Sequence, residues 1–310
     1  MLDLKRLHVL AEVARRGSFS AAADSLYLSQ SAVSQQVATL EREIGMSLLE
    51  RTSDGPKLTD AGQTLVNHAE AAIARLEEAE HEVAAIAGLE GGELRIASFP
   101  TASVGLLTEA LSRFTARHPG VRLSVAEGEP EQSLPMLRAA EVDLAITFDY
   151  TLLPAKEDDR DIDRTLLLTE SMHVALPRDH PLAASDGVDL TDLADEPWLC
   201  GTRPSSCAEL VVLACREAGY EPRIAFESDE YTVLQGYVAA GLGFTLLPDL
   251  ALPSLRRDLV VRPIKAQTPK RRVWAVTRAK GARSQATEAM VDELHATGDR
   301  VAAGALKIAA

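Results

Sequence analysis

Four short, uncharged polar residues stand together near the N-terminus: Gln30, Ser31, Ser34 and Gln35. At helical spacing they fall on one face, and their amides and hydroxyls are the donors and acceptors that pair with base edges in a DNA major groove. Ser29, just before them, is a residue type that caps a helix start by accepting from an otherwise unpaired backbone N–H. A second set with chemical potential is the three cysteines Cys200, Cys207 and Cys215. Cys207 falls at an expected helix start, where a thiol pKa is lowered and the sulfur made reactive. On one helix Cys207 and Cys215 stand ~12 Å apart, beyond disulfide reach, whereas Cys200 with Cys207 is easier to bridge. Small apolar packing is the plainer reading of all three.

Catalytic signatures are missing. The sequence has no GxSxG elbow, phosphate-binding P-loop or HExxH. Gly241-Leu242-Gly243 follows an expected helix rather than a strand, which makes it a turn and not a dinucleotide fingerprint. His173 and His180 lie near Asp179, but at no standard zinc spacing. No catalysis, cofactor or metal is expected.

The elements that must position the reading residues are legible around them. A first helix is expected over 4–16, stopped by Gly17, with Ser18 capping the next. Ala22 and Ala23 permit a close crossing, and Leu26 and Leu28 bracket a bend. Val33, Val37, Leu40 and Ile44 then recur at steps of four, three and four as an inward stripe. Two short helices with a tight bend, the second one reading, is the plan of a helix-turn-helix. Beyond Gly45, Leu48 and Leu49 lead into a Ser53-Asp54-Gly55-Pro56 turn and a return at Lys57-Leu58, which reads as a two-stranded wing. Arg51 and Lys57 flank its tip, where cations reach the phosphate backbone.

From Thr59 a long helix carries Leu65, Ala69, Ala72, Leu76, Ala79, Val83 and Ile86 in alternating steps of four and three, a heptad seam. About 28 residues at ~1.5 Å each make a rod of roughly 40 Å. A partner helix from a second copy would cover it, and a dimer would space two readers about one DNA turn apart, ~34 Å.

Residues 1–90 resemble the DNA-binding domain and linker helix of the LysR-type transcriptional regulators, through LKRLHVLAEVARRGSFSAAADSL, LSQSAVSQQVATLEREIG, LLERT and LTDAG. Two positions depart from the commonest form of that family: Ser31 stands where proline is frequent and Gln35 where arginine is frequent. Glutamine favours adenine where arginine favours guanine, so the second departure bears on the operator.

After Glu93 the pattern becomes strand–helix alternation, expected to form mainly parallel sheets covered by helices. Leu166–Thr169 and His173–Leu176 read as two strands, and chain crossings near 164–166 and 261–265 divide this part into two lobes. Ligands of open α/β sheets sit beyond the carboxyl ends of the strands, and helix starts there favour an anion. The LysR resemblance continues through the lobe order and VAAGLGFTLLP, and implies a periplasmic-binding-protein-like (type II) effector domain that takes a small molecule between its lobes. It carries the effector site to Ser98, Thr101, Thr147, Thr202, Ser205 and Ser228.

The expected fold is therefore α/β with an N-terminal all-α winged helix-turn-helix over 1–58, a linker helix over 59–90 and an effector domain over 91–310. Its lobe I takes 91–164 and 266–310, and its lobe II takes 165–265. The expected function is transcription regulation through double-stranded operator DNA, a small-molecule effector that the helix starts would favour as anionic, and self-association as dimer or tetramer. A redox-responsive regulator using Cys200 and Cys207 is the alternative within that class, and a two-lobed solute-binding protein the alternative outside it.

Composition agrees with a globular protein. Of 310 residues 46% are hydrophobic and 25% charged, and the net charge is −14. That balance excludes a broadly basic surface, and DNA binding must rest on locally aimed groups. No apolar run approaches the ~20 residues of a membrane helix. The N-terminus lacks signal-peptide order, and three cysteines suit a reducing cytoplasm.

Overall fold

A computed structural model describes residues 2–52, 55–86, 92–153, 161–265, 268–279 and 283–304. The chain divides into two compact units, the first built on Met1–Leu89 and the second on Glu90–Leu137 and Val142–Ala310.

In the first unit α1 (Leu4–Arg16) opens on Asp3, whose carboxylate accepts from the Lys5 N–H, and closes on Gly17. Gly17 takes φ 62°, a left-handed conformation that glycine adopts without Cβ strain. Then come α2 (Phe19–Ser25), capped by Ser18, and α3 (Gln30–Ile44), capped by Ser29. Leu7, Leu10, Val13, Ala22, Ala23, Val33, Val37, Leu40 and Leu48 form one buried cluster, so the inward stripe of α3 packs against α1 and α2. Glu12 is buried with them. Burial pushes its carboxyl upward, but hydrogen bonds from Arg16, Ser25 and Arg15 outweigh that and hold it at about 2.

The wing is an antiparallel hairpin of β1 (Leu49–Thr52) and β2 (Gly55–Leu58), with Leu49 opposite Leu58 and Arg51 opposite Pro56. Glu41 of α3 ties down its entrance, its Oε1 accepting from Leu48 N–H at 2.8 Å. Thr59 then caps α4 (Asp60–Ile86): its Oγ1 accepts from Gly62 N–H at 3.0 Å and donates to the Ser47 carbonyl at 2.9 Å. Gly62 is obligatory by space, because a Cβ there would stand 2.1 Å from the Leu48 carbonyl oxygen.

The heptad seam changes character along α4. Ala69 is buried and Leu65 half-buried in the unit's own cluster, whereas Ala72 is exposed and Leu76 is 50% exposed. The side chains of Ala79, Val83 and Ile86 lie outside those described. Among the described residues, no helix is long and apolar enough to cross a membrane.

The second unit is organised on one long strand. Parallel strands β3 (Gly92–Ser98), β4 (Val121–Glu127) and β5 (Leu144–Tyr150) form one flank, and β6 (Ile162–Pro177) runs beyond them. Between Ile162 and Ser171, β6 pairs antiparallel with β11 (Lys270–Arg278), which in turn pairs antiparallel with β5. From Met172 to Pro177 it has other partners, β9 (Thr245–Pro248) and β10 (Leu259–Pro263). β7 (Pro197–Cys200) and β8 (Arg223–Glu227) add a parallel pair, bridged to this second group between Trp198 and Phe244.

Two expectations fail against this topology. The sheets are mixed rather than mainly parallel, because β6 and β11 run against their neighbours. The separate strands expected at Leu166–Thr169 and His173–Leu176 are one, since a strand that leaves one sheet for another need not break.

The helices cover these sheets. A short turn α5 (Pro100–Ala102), a π-helical turn (Ser103–Leu107) and α6 (Thr108–Arg117) follow β3 without interruption. After them come α7 (Pro130–Arg138), α8 (Ser206–Glu217), α9 (Tyr231–Ala239) and α10 (Gln285–Ala302). Leu106, Phe114, Ile146, Met290 and Leu294 belong to the main buried cluster, which also takes in Trp198, Ala208 and Cys215. Leu234 and Val238 of α9 pack with Ala175, Leu247 and Leu259.

Candidate functional site

On α3 the backbone decides what each polar residue does. Ser29 Oγ accepts from Ala32 N–H at 3.2 Å and lies 3.0 Å from Ser31 Oγ. Gln30, Ser31, Ser34 and Gln35 lie on the outward side, while Val33, Val37 and Leu40 are buried. The inward residues thereby fix an outward polar row on the first two turns, the part of a recognition helix that meets base edges. Tyr27, in the turn before it, is 96% exposed at φ 54°. Arg51 lies in β1, and Lys57 lies exposed in β2 opposite Glu50.

In the second unit the groups of strands leave a cleft of about 220 Å³. Its walls come from distant stretches of chain: Phe99, Thr101 and Val104 after β3, Glu129 and Glu131 around the start of α7, Ser205 and Cys207 at the start of α8, Ser228 to Thr232 at the start of α9, Leu250 and Pro253 after β9, and Arg271 in β11. Thr101, Ser205 and Ser228 thus reach the cleft, as the strand-end argument expects. Ser98 does not: it is fully buried and donates to the Phe99 carbonyl. Thr147 is buried in the middle of β5, and Thr202 is exposed outside the cleft lining. Alternation along β3 and β5 sends those first two hydroxyls into the body of the unit.

Arg271 is the residue that sequence reasoning missed. It is 1% exposed, its Nε donates to Glu170 at 2.7 Å, and its Nη2 donates to Thr101 Oγ1 at 2.9 Å. Its guanidinium also stands 4.9 Å from the Phe99 ring centre and 5.0 Å from that of Phe148. The second oxygen of Glu170 accepts from Leu250 N–H at 2.7 Å, so the pair joins β6, β11 and the segment after β9. KRRVWAVTR presents three consecutive cations in a strand, and alternation puts the middle one on the face opposite its neighbours. That alternation was the available signal.

Carboxylates surround the cleft. Asp229 Oδ1 accepts from Thr202 N–H at 2.7 Å, and Glu131 Oε1 accepts from Ser206 N–H at 3.3 Å and Oγ at 3.1 Å. Glu129 is half-buried, and its carboxyl is raised to about 7 by burial, the Arg271 charge opposing and Glu131, Asp229 and Glu127 reinforcing.

The cysteines do not behave as a helix-start thiol was expected to. Burial and the charges of Glu129 and Glu131 push the Cys207 thiol up to about 12, and its sulfur lies 3.3 Å from the Tyr150 hydroxyl. Burial likewise raises Cys200 to about 11 and Cys215 to about 11. The dipole of α8 is overcome by burial and nearby carboxylates. Among the described residues no group of three or more His, Cys, Asp or Glu is placed to hold a metal ion.

Two family models match the chain: "Bacterial regulatory helix-turn-helix protein, lysR family" over residues 4–63 and "LysR substrate binding domain" over residues 87–299. The transcriptional dual regulator GltC of Bacillus subtilis is 30% identical over 277 residues, covering 89% of this chain and 90% of GltC. The DNA-binding transcriptional dual regulator OxyR of Escherichia coli is 30% identical over 279 residues, with the same 89% and 90% coverage. A solved full-length OxyR from Pseudomonas aeruginosa, in a variant with aspartate in place of a cysteine, superposes with a TM-score of 0.73 at 25% identity, over 95% of each chain. Full-length CbnR in complex with its target DNA shares the fold, with a TM-score of 0.62 at 23% identity over 96% of this chain and 100% of CbnR. With one model over the unit that carries α3 and the other over the unit that carries the cleft, the chain is a DNA-binding transcription regulator with an effector-binding domain, and it belongs to the LysR family.

Proposed function

We propose that Gln30, Ser31, Ser34 and Gln35 read operator bases, with Ser29 fixing the start of their helix and Arg51 and Lys57 of the wing holding phosphates. The observation that carries this reading is the outward polar row on α3, backed by Val33, Val37 and Leu40. On a chain of net charge −14, sequence preference then rests on uncharged amide and hydroxyl contacts. The assignment of segments follows: a reading unit to residue 58, a linker helix over 59–90 whose exposed Ala72 and Leu76 meet a second copy, and an effector domain beyond. Within that domain we place the first lobe crossing at Ser171/Met172, where β6 exchanges partners, rather than near 164–166.

The effector occupies the cleft, against Thr101, Ser205, Ser228 and the additional residues Glu129, Tyr231 and Arg271. Its binding shifts one lobe against the other across β6 and so the spacing of readers in the oligomer. The protein regulates without catalysis and works in the cytoplasm, where its operator is. A mobility-shift titration with the DNA upstream of its own gene tests the reading: retardation that resists unrelated competitor DNA is expected, and retardation erased equally by any DNA overturns it.

A redox reading has one favourable observation, that relatives include OxyR and proteins called hydrogen peroxide-inducible genes activator. The raised thiols weigh against it, since peroxide attack needs a thiolate. Replacing all three cysteines by serine is expected to leave any peroxide response of the regulated promoter as it was; its loss would favour redox control.

A further inference from the structure

The cation and the longest helix start that would receive an anion in this cleft are already partly committed within the protein itself. Arg271, the one cation among the described residues lining it, gives its Nε–H to Glu170 and an Nη2–H to Thr101. The start of α8, the longest helix opening there, has its Ala208 N–H taken by Ser205 Oγ and its Ser206 N–H taken by the Glu131 carboxylate. The N–H groups of Thr202 and Arg203 before it go to Asp229 and Glu227. An anionic ligand would meet a cation whose charge Glu170 already balances and a helix start already engaged by carboxylates.

The opposite holds for a cation. Glu129, Glu131, Asp229 and Glu230 all line the cleft, from the β4–α7 connection, α7 and the β8–α9 connection. Glu131 and Asp229 are partly spent on backbone N–H groups, whereas the bonds of Glu129 are all made by its backbone: its N–H donates to Gln132 Oε1 and its carbonyl accepts from the Gln132 and Ser133 N–H groups. Its carboxyl faces Arg271 of β11, Glu131, Asp229 and Glu127, with the uncharged Tyr231 and Cys207 beside it. Beside the hydroxyls of Ser228, Thr232 and Ser254, the walls at Phe99, Pro100, Val104, Leu250 and Pro253 offer an apolar surface and an aromatic ring.

We infer that the effector of this regulator is a small protonated amine with an apolar body, its ammonium held by Glu129 with Asp229 and Glu230 at the rim and its carbon skeleton against Phe99, Val104, Leu250 and Pro253. The inference rests on the cleft being the effector site. An arriving ammonium supplies the hydrogen-bond donors that the Glu129 carboxylate lacks, and relieves the crowding of like charge around it. Binding requires Glu129 ionised, so affinity rises with pH. With its carboxyl raised to about 7, the ionised fraction grows about tenfold between pH 6 and pH 8.

The test is a titration of the full-length protein with matched pairs: butylamine against butyrate, 2-phenylethylamine against 3-phenylpropionate, and putrescine against succinate. Binding is read by thermal shift and then calorimetry, in wild type, Glu129→Gln and Val104→Trp, the last filling the cleft. At least one amine is expected to raise the melting temperature where its carboxylate partner does not, binding about tenfold more weakly at pH 6 than at pH 8. That shift should vanish in Val104→Trp, and in Glu129→Gln affinity should fall about tenfold or more with its pH dependence gone. Carboxylates that bind in place of amines, with the shift lost in Val104→Trp, overturn the amine inference and leave the cleft as the effector site. Amine binding that survives Val104→Trp overturns both. If none of the amines binds, the inference fails. The cleft reading is then decided separately by whether Val104→Trp uncouples the regulated promoter from its inducing growth condition.

Discussion

The outward face of α3 and the cleft of the second unit handle polarity in opposite ways. On α3, Gln30, Ser31, Ser34 and Gln35 are close in sequence and face outward, and the helix that carries them is held by apolar residues. In the cleft the polar groups arrive from separate stretches of chain, and the most central one, Arg271, is 1% exposed and ion-paired. A surface that reads DNA gains from donors left uncommitted until the groove arrives. A fully buried charge stands at low dielectric, where an unpaired one is costly, so Arg271 comes paired with Glu170, while the less buried Glu129 carboxyl is instead pushed up. Mutations should therefore act on binding at the outward face of α3 and on stability at the buried Arg271–Glu170 pair.

The largest effect is expected at the buried pair. Replacing Arg271 by Met leaves Glu170 at 5% exposure with no cation and removes a bond that joins β11 to β6. Breaking such a pair from one side costs about 3–5 kcal/mol. Chemical denaturation of the full chain should show the second unit melting early while the first keeps its midpoint. Replacing Glu170 as well, as in Arg271→Met with Glu170→Leu, should recover much of the loss, because an apolar pair of similar volume leaves no orphaned charge. Equal loss in single and double variants would mean that shape, not charge, holds the site.

In the first unit the corresponding weak point is steric. A Cβ at Gly62 meets the Leu48 carbonyl oxygen at 2.1 Å, backbone against backbone, and overpacking of this kind costs about 3 kcal/mol. Gly62→Ala should lower the melting of the first unit and weaken operator binding through the displaced wing, with the second unit unaffected. An unchanged melting profile would show that α4 can slide away from Leu48 at no cost.

How much of each region was legible follows from the same contrast. The reader, its caps at Ser18 and Ser29, the stop at Gly17 and the inward stripe of α3 all lie in local sequence, where spacing alone reports the face of each residue. The wing and long helix were equally open to spacing, but Gly62 was not, because its reason is a carbonyl fourteen residues back, just before β1. For the cleft, strand ends and helix starts pointed to Thr101, Ser205 and Ser228, which line it. They also pointed to Ser98 and Thr147, which lie buried outside its lining, because a position in a strand does not say which face a side chain takes. Arg271 and Glu170 are 101 residues apart, and only the antiparallel register of β11 on β6 sets them side by side. The expected parallel sheet had no place for that pairing.

On the binding side, Gln35→Ala removes an amide on the outward face of α3 that bears no load in the fold, so the melting temperature should stay within error. Operator affinity should drop about tenfold, near 1.4 kcal/mol. The change should concentrate at one base pair in a substituted-operator series, because a base contact is specific where a phosphate contact is not. A uniform drop across all sequences would move Gln35 from the reading set to the positioning set.

The smallest effect separates two roles for one residue. Ser29 Oγ accepts from Ala32 N–H and lies beside Ser31 Oγ, so it is a helix cap whose hydroxyl also faces outward. Loss of a serine cap costs about 1 kcal/mol, and a glycine in the same place only a few tenths. If Ser29 acts through the helix, Ser29→Ala lowers the stability of the first unit by about that amount and Ser29→Gly by less. Operator sequence preference then stays the same in both. If its hydroxyl meets a base, the two variants lose the same preference whatever their stability. The stability difference between alanine and glycine therefore measures the cap, and the preference they share measures the contact, in one pair of proteins.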